Sequence, residues 1–577
     1  MSDQTGYLLA VVTSLLAADP GPAVAQPQVA PPPPPSREEI ERSNVPQQPR
    51  PPRARVEAGN AIPVQPCPLR DSDVRANITA IDFTGPDGEA LPPVIRTLLA
   101  GVQVPQGERP ISVVCDIRDD ATARLRRQGY IAAVQIPQQR IQSGQLRLEV
   151  VTGHIVDIHM RGDAPPFRSE LAARAEQLKA LNPFNQFEAE RILLLASDIP
   201  GVEVRLTLAP ARTKPGELIG ELSVFYQPFR LLANVNNFGS RALGRYTAYA
   251  RGEFYGLTGA SDMTYIAAST TTDLDEQQVV QAGHVMGLGH DGATLGAHLA
   301  YAWSRPDLQD VDPHNVLDLR SRSLIGRLEA TMPLIRTRRT ATTLRGGLEL
   351  LQQRTNSSFG LITDDKLRVA FLRAESTFRE PLIRGGEAYS LHWGAELRKG
   401  LDILDASHRY SLLASRAEGD PDAFVLRGDL GGVARLPSVF SIAADAEAQW
   451  SNHPLLAFEQ YSVGNYTIGR GYDPGSITAD RAIAIRPELR AQVLQTRRTT
   501  LQLFGFYDNI WLWNLDRFST DHGRHVASVG AGARVAIAPN FLIEATYAKP
   551  LDRLSFNGPK PPARFLISLT TLFSPVR

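Results

Sequence analysis

Tyr389-Ser390-Leu391-His392-Trp393-Gly394-Ala395-Glu396-Leu397-Arg398 alternates without a break. Tyr389, Leu391, Trp393, Ala395 and Leu397 fall on one parity, and Ser390, His392, Gly394, Glu396 and Arg398 on the other. A period of two is what a β-strand gives its two faces, so this stretch has one apolar face and one wet one. The texture recurs. Tyr246, Ala248, Ala250, Gly252 and Phe254 interleave with Arg245, Thr247, Tyr249, Arg251 and Glu253. Ile485, Pro487, Leu489, Ala491 and Val493 interleave with Arg486, Glu488, Arg490 and Gln492. Sixteen such segments fit between Arg230 and Phe573. No run in the chain reaches the ~18 uninterrupted apolar residues of a transmembrane helix. A chain that enters a membrane without one must close a barrel, because lipid leaves no other way to satisfy backbone N–H and C=O groups.

The connections carry a second, independent signal. Short ones (256–260, 289–293, 436–439, 538–540) alternate with long ones (304–320, 354–366, 400–421, 451–480, 515–525). Short periplasmic turns and long external loops are the habit of outer-membrane barrels, and a soluble sandwich has no reason to alternate so. The polar parity holds Arg, Glu, Gln and Ser. Those residues are costly against lipid and cheap against water, so the bore is read as polar and hydrated.

Upstream the pattern is different. Residues 74–227 read as one βααββ unit used twice, starting at Ile78 and Ile155. Strands are expected at 78–83, 132–136 and 145–151, with helices at 91–99 and 119–128. The second unit has strands at 155–160, 202–208 and 218–225, and helices at 168–181 and 186–197. Ala189, Ile192, Leu193 and Ala196 make one helix face. Residues 26–73 are a Pro-rich linker. Within it Ser36 and Glu39 have capping-box spacing, which predicts a helix of two turns, stopped by Pro46. Residues 1–25 read as a signal peptide: Tyr7 to Ala18 is mostly apolar and Ala23-Val24-Ala25 suits cleavage, although the first residues hold Asp3 and no Lys or Arg. The remaining boundaries are 74–153, 154–227 and 228–577.

Lys+Arg and Asp+Glu are both 61, a balance that does not suit a nucleic-acid surface. Cys67 and Cys115 permit a disulfide in an exported chain, or are two separate thiols. No HExxH, GxxxxGK[ST], CxxC or GxSxG motif is present. His284 and His290, and His522 and His525, are near in sequence without metal-ligand context. No cofactor, metal or catalytic constellation is therefore expected, and no transport step in this chain hydrolyses a nucleotide.

Two further motifs carry a resemblance. The long connection 451–480 contains Gly464-Asn465-Tyr466-Thr467-Ile468-Gly469-Arg470-Gly471-Tyr472-Asp473-Pro474-Gly475. Its Arg-Gly-Tyr core resembles the loop-six motif of the superfamily of outer-membrane barrel insertases and two-partner-secretion transporters. Leu503-Phe504-Gly505-Phe506-Tyr507-Asp508 is similar to the inner-wall motif of that superfamily. The stretch 129–153 resembles a first polypeptide-transport-associated (POTRA) domain, and 193–202 a second. Asn236 to Ser240 with Gly244 to Tyr246 resembles the first hairpin of the family's barrel. The resemblance spans roughly residues 65–573.

It implies α+β periplasmic POTRA domains followed by an all-β, 16-stranded transmembrane β-barrel. It further implies that loop six folds into the bore and that Arg470 pairs with Asp508. Ile468, Gly471 and Tyr472 would position the loop, and Phe504 and Phe506 would share the inward face of Asp508. The implied partners are an unfolded secreted exoprotein of haemolysin or adhesin type, outer-membrane lipid, and the barrel-assembly machinery for the chain's own insertion. Two POTRA-like units favour secretion over the alternative, an insertase for other barrels. A passive porin would lack those units and the Arg-Gly-Tyr loop, and a surface hydrolase would need a nucleophile. The chain departs from the family at Gly469, where Val or Ile is usual, and in running four residues past Phe573. The short helix at 36–42 is not expected to plug the bore.

Overall fold

The computed structural model describes residues 35–41 and 56–575, except 58, 60, 64, 142–143, 308–317, 383–386, 518, 520–521, 539 and 555–557. The signal-peptide reading of 1–25 and much of the Pro-rich linker lie outside those residues.

The short helix α1 (Arg37–Glu41) comes first. Two small α/β layers follow. In the first, Ala80–Thr84 pairs in parallel with Gln145–Thr152, which pairs antiparallel with Ala132–Gln135. Helices α2 (Pro93–Leu99) and α3 (Val113–Arg127) cover it. α3 starts six residues before the sequence reading placed it. The β-branched residues at its start favour a strand locally, but Val114, Ile117, Ala121 and Leu125 fall on one helical face. That face is buried against Leu146, Leu148 and Val150, and tertiary packing overrides the local preference. In the second layer, Val202–Pro210, Glu217–Tyr226 and His154–Arg161 form a sheet, with the linker residues Val56–Glu57 added at one edge. Helices α4 (Arg168–Lys179) and α5 (Gln186–Ser197) lie on it. The Asn185 side chain caps α5 by accepting the Phe187 N–H at 2.9 Å. A disulfide joins Cys67 to Cys115 and so fastens the end of the linker to α3.

A closed barrel of sixteen antiparallel strands takes up the rest. The strands are β1 (Phe229–Asn236), β2 (Thr247–Tyr255), β3 (Met263–Thr271), β4 (Gln277–Leu288), β5 (Ala293–Ser304) and β6 (Arg320–Arg336). They continue with β7 (Thr340–Ser357), β8 (Gly360–Pro381), β9 (Glu387–Gly400), β10 (Phe424–Arg435) and β11 (Phe440–Ser451). The last are β12 (Arg481–Gln495), β13 (Thr499–Trp513), β14 (Gly523–Ile537), β15 (Phe541–Pro550) and β16 (Arg564–Phe573). Each pairs with the next, and β1 closes on β16 from Leu231↔Phe573 to Asn236↔Ser568.

The parity read from sequence is the parity of the wall. Leu391, Trp393 and Leu397 are exposed on the outside, while Arg398 is buried on the inside. The same holds for Leu503 and Tyr507 outside against Phe504, Phe506 and Asp508 inside. One connection departs from expectation. The stretch 354–366 is not a long loop: β7 and β8 run through it, Arg354 opposite Asp364 and Gln352 opposite Lys366, joined only by 358–359. Polar residues occupy both faces there, which hides a strand from any reading based on alternation.

Candidate functional site

The site lies inside the barrel. The sixth distal connection, between β11 and β12, does not stay outside. It folds back as a small hairpin, Tyr461–Val463 against Ile477–Ala479. The hairpin carries Ile468 and Tyr472 into an apolar cluster with Ala482, Ala484, Ile510 and Val526 of the inner wall. Gly469, the departure from the family pattern, has φ 131°, and a Cβ there would come within 2.7 Å of Val463 Cγ1. A Val or Ile does not fit this backbone. Gly471 marks the closest approach to the wall, where a Cβ would lie 2.7 Å from Ser528 Cβ and 2.8 Å from Pro550 N. Its N–H donates to Ser528 Oγ at 3.2 Å.

The structure divides the Arg470–Asp508 pair expected from the resemblance. Asp508, fully buried, accepts the main-chain N–H of Arg470 at 2.7 Å. Its ion pair is with Arg486, Nε to Oδ1 at 2.7 Å, and Ser528 Oγ donates to Oδ2 at 2.9 Å. The Arg470 guanidinium passes instead across the Phe506 ring, 4.5 Å from its centroid, and reaches Glu488 Oε2 at 3.0 Å. The physical reason is occupancy. Arg486 on the neighbouring strand already holds Asp508, whereas Glu488 lies directly opposite Phe506, under the path of Arg470. Glu488 also takes Arg490 and Arg534, both at 2.6 Å, and Arg534 stacks 3.9 Å over Phe504. Sequence reasoning did not single out Glu488. Its signal is the row Arg486, Glu488, Arg490, a carboxylate flanked by two arginines on one inward parity.

Tyr472 fixes the far side of the loop. Its hydroxyl donates to Ala527 O at 2.8 Å, and its carbonyl accepts Arg564 Nη1 at 2.7 Å. Burial pushes the phenol up to about 12. Asn465 Nδ2 donates to Phe238 O at 2.9 Å, which ties the loop to the first hairpin. At the loop base, buried Asp480 pairs with Arg416 and accepts the N–H groups of Leu455 (2.9 Å) and Leu515 (2.8 Å).

Helix α1 is the second occupant, contrary to the sequence expectation. Its capping box forms as read: Ser36 N–H donates to Glu39 Oε2 at 2.8 Å, and Glu39 N–H to Ser36 Oγ at 3.3 Å. Five residues do not hold a helix in water, so its contacts must hold it. Ile40 packs against Val279, Ala300, Ile325 and Leu351, all on the inner wall. Arg37 pairs with Glu349 of β7 at 2.7 Å, and Glu41 with Arg327 of β6 at 2.7 Å. Glu349 also holds Arg398 (3.1 Å), which holds Glu459 of loop six (2.5 Å), which holds Arg427 (3.1 Å). One buried charge network thus runs from α1 through the wall to loop six. The histidines noted in sequence are not brought together: His284 bonds Thr264, and His290 bonds Glu170.

The sequence profile of the haemolysin secretion/activation proteins (ShlB/FhaC/HecB) matches residues 225–535. The chain belongs to the haemolysin secretion/activation family. A curated relative is the heme/hemopexin transporter protein HuxB of Haemophilus influenzae, 20% identical over 488 residues, covering 81% of this chain and 82% of that one. Among solved structures, CdiB from Escherichia coli aligns with a TM-score of 0.69 at 15% identity, covering 89% of this chain and 94% of that one. BamA from Haemophilus ducreyi lacking POTRA domains 1–3 aligns with a TM-score of 0.51 at 13% identity, covering 86% and 100%. Like this family, the protein spans the outer membrane as a 16-stranded barrel, with its N-terminal α/β region on the periplasmic side.

Proposed function

We propose that this protein translocates a partner exoprotein of haemolysin or adhesin type through its own bore, as the outer-membrane component of two-partner secretion. The observation that carries the reading is the bore itself. It is polar, enclosed by sixteen strands, and occupied by two elements held by side-chain contacts, loop six and α1. Elements held this way can be displaced without breaking the wall.

Residues 74–153 and 154–227 act as POTRA domains that take the unfolded partner in the periplasm. An open sheet edge adds an extended chain as a further strand with little demand on sequence. Arg470, with Ile468, Gly471 and Tyr472, sets loop six against Phe504, Phe506 and Asp508, and this arrangement shapes the conduit. No step uses nucleotide hydrolysis, and direction comes from folding of the partner outside. The barrel reaches its place through the barrel-assembly machinery, with β16 as the recognised strand and outer-membrane lipid around the apolar belt.

The experiment is Arg470→Ala in cells that make the partner. Barrel assembly should stay at the wild-type level while export falls about tenfold or more, since the variant removes a buried cation from beneath the loop. Undiminished export overturns the role of Arg470. The second reading, an insertase, is favoured by the shared barrel of BamA. Depleting the protein separates them: general loss of outer-membrane barrels marks an insertase, and loss of one exported partner marks the transporter.

A further inference from the structure

The periplasmic mouth of the barrel holds a cavity of about 1280 Å³. Thr340 of β7 and Phe541 of β15 both line it, and these strands stand eight apart in a ring of sixteen. The cavity therefore crosses the mouth rather than following one wall. Arg230, Thr500 and Thr570 also line it, on the bore-facing parity of Asn234, Phe504 and Ser568. It opens toward the conduit, with Phe541 and Phe573, on the outward parity, at its rim.

Its lining holds more arginine than acid. Eight arginines and two acids, Asp198 and Glu203, face it, in a chain whose charges balance at 61 and 61 as a whole. Arg336 is held by Asp198 (2.5 Å), Arg230 by Glu253 (2.8 Å) and Arg379 by Glu387 (3.7 Å). Four of the arginines come from two turns with the same sequence, Thr337-Arg338-Arg339-Thr340 and Thr496-Arg497-Arg498-Thr499. The turns are built identically. In each, the first Thr donates its N–H to the last Thr carbonyl, at 2.8 and 2.9 Å. The last Thr donates its N–H back to the first Thr Oγ1, at 2.9 Å in both. Each turn holds two guanidinium groups at its tip. The first turn is partly neutralised, Arg338 by Glu190 (3.4 Å) and Arg339 by Glu380 (3.1 Å). Arg497 and Arg498 are exposed and have no carboxylate within ion-pair distance among the described residues.

We infer that this vestibule is a binding site for an acidic, extended segment of polypeptide on its way into the bore. The inference rests on the secretion reading for the direction of traffic. Guanidinium groups grip carboxylates through paired charge-assisted bonds, and a concentrated field in a cleft raises the local concentration of an oppositely charged chain. An anionic lipid is the other carrier of such charge. Arg230, Thr500 and Thr570, on the bore-facing parity, argue for a chain in transit.

The test uses the full-length protein in detergent and fluorescent twelve-residue peptides of Glu-Gly-Ser or Lys-Gly-Ser composition, read by anisotropy. The acidic peptide should bind, and the basic one should not. Raising NaCl from 50 to 300 mM should weaken binding about tenfold, and so should the double variant Arg497→Gln/Arg498→Gln. Arg435→Gln, at a neighbouring turn outside the cavity, should change nothing. Absence of acidic-peptide binding, or equal binding by the double variant, overturns the site. So does a variant that loses only its association with phosphatidylglycerol vesicles. Because binding is read on the isolated protein, the two proposals fail separately. Export that persists without peptide binding sinks the site alone, and peptide binding in a protein that exports nothing sinks the secretion reading alone.

Discussion

Arg470 makes two different bonds with two different parts of itself, and they predict different mutational couplings. Its guanidinium belongs to Glu488, and its main-chain N–H to Asp508. A double-mutant cycle between Arg470→Ala and Glu488→Ala should therefore give a coupling of about 1–3 kcal/mol in thermal stability. The cycle with Asp508→Ala should give close to none, since Ala at 470 keeps the N–H. A larger coupling to Asp508 would contradict the geometry. The sequence showed which residues meet here but not which atoms. Parity put Asp508, Phe504 and Phe506 on one face, and the motif put Arg470 beside them. The choice between two carboxylates on adjacent strands, two register positions apart, depends on where Arg486 already sits, and no local pattern encodes that.

At the level of elements, legibility follows how local the signal is. The sixteen strands were readable because lipid and water impose opposite demands on alternate residues. The extended β7–β8 hairpin was not, because beyond the membrane that contrast disappears. The place of α1 was not readable at all, since its partner Glu349 is some three hundred residues away. Its capping box was, and it now has a consequence. Burial raises the Glu39 carboxyl from 4.5 to about 7, with Glu38 and Asp473 adding to the shift. A carboxyl that takes up its proton on docking favours the docked helix at low pH. That contribution is fully present below about 4.5 and is lost as pH rises through about 7. Channel openings in planar bilayers should therefore be several-fold more frequent at pH 8 than at pH 5. Glu39→Gln, which keeps the capping acceptor, should flatten the profile, and a flat wild-type profile would refute the idea. Further along the chain, Cys67–Cys115 closes a separation of 48 residues. Chain-entropy arguments give such a bridge about 3–4 kcal/mol. Reduction should lower the melting transition of the N-terminal region and leave the barrel transition in place.

For the whole molecule the question is which way the cargo leaves, through the bore or through the wall. The two routes make opposite demands on the seam between β1 and β16. That seam has six opposed residue pairs, against eighteen between β7 and β8. Asn234 reinforces it by bonding Ser568 and Thr570, both at 2.8 Å. A barrel that inserts others has to part such a seam, whereas a conduit has to keep it shut while loop six and α1 move within. Val235 and Leu569 are opposed on its lipid face, at the spacing of antiparallel partners that a disulfide can span. Val235→Cys with Leu569→Cys locks the wall when oxidised and releases it when reduced. If the polar bore is the route, export of the partner should differ less than about twofold between the two states. Export that stops on oxidation and returns on reduction would place the exit at the seam, and loop six would then guard a path the cargo does not take.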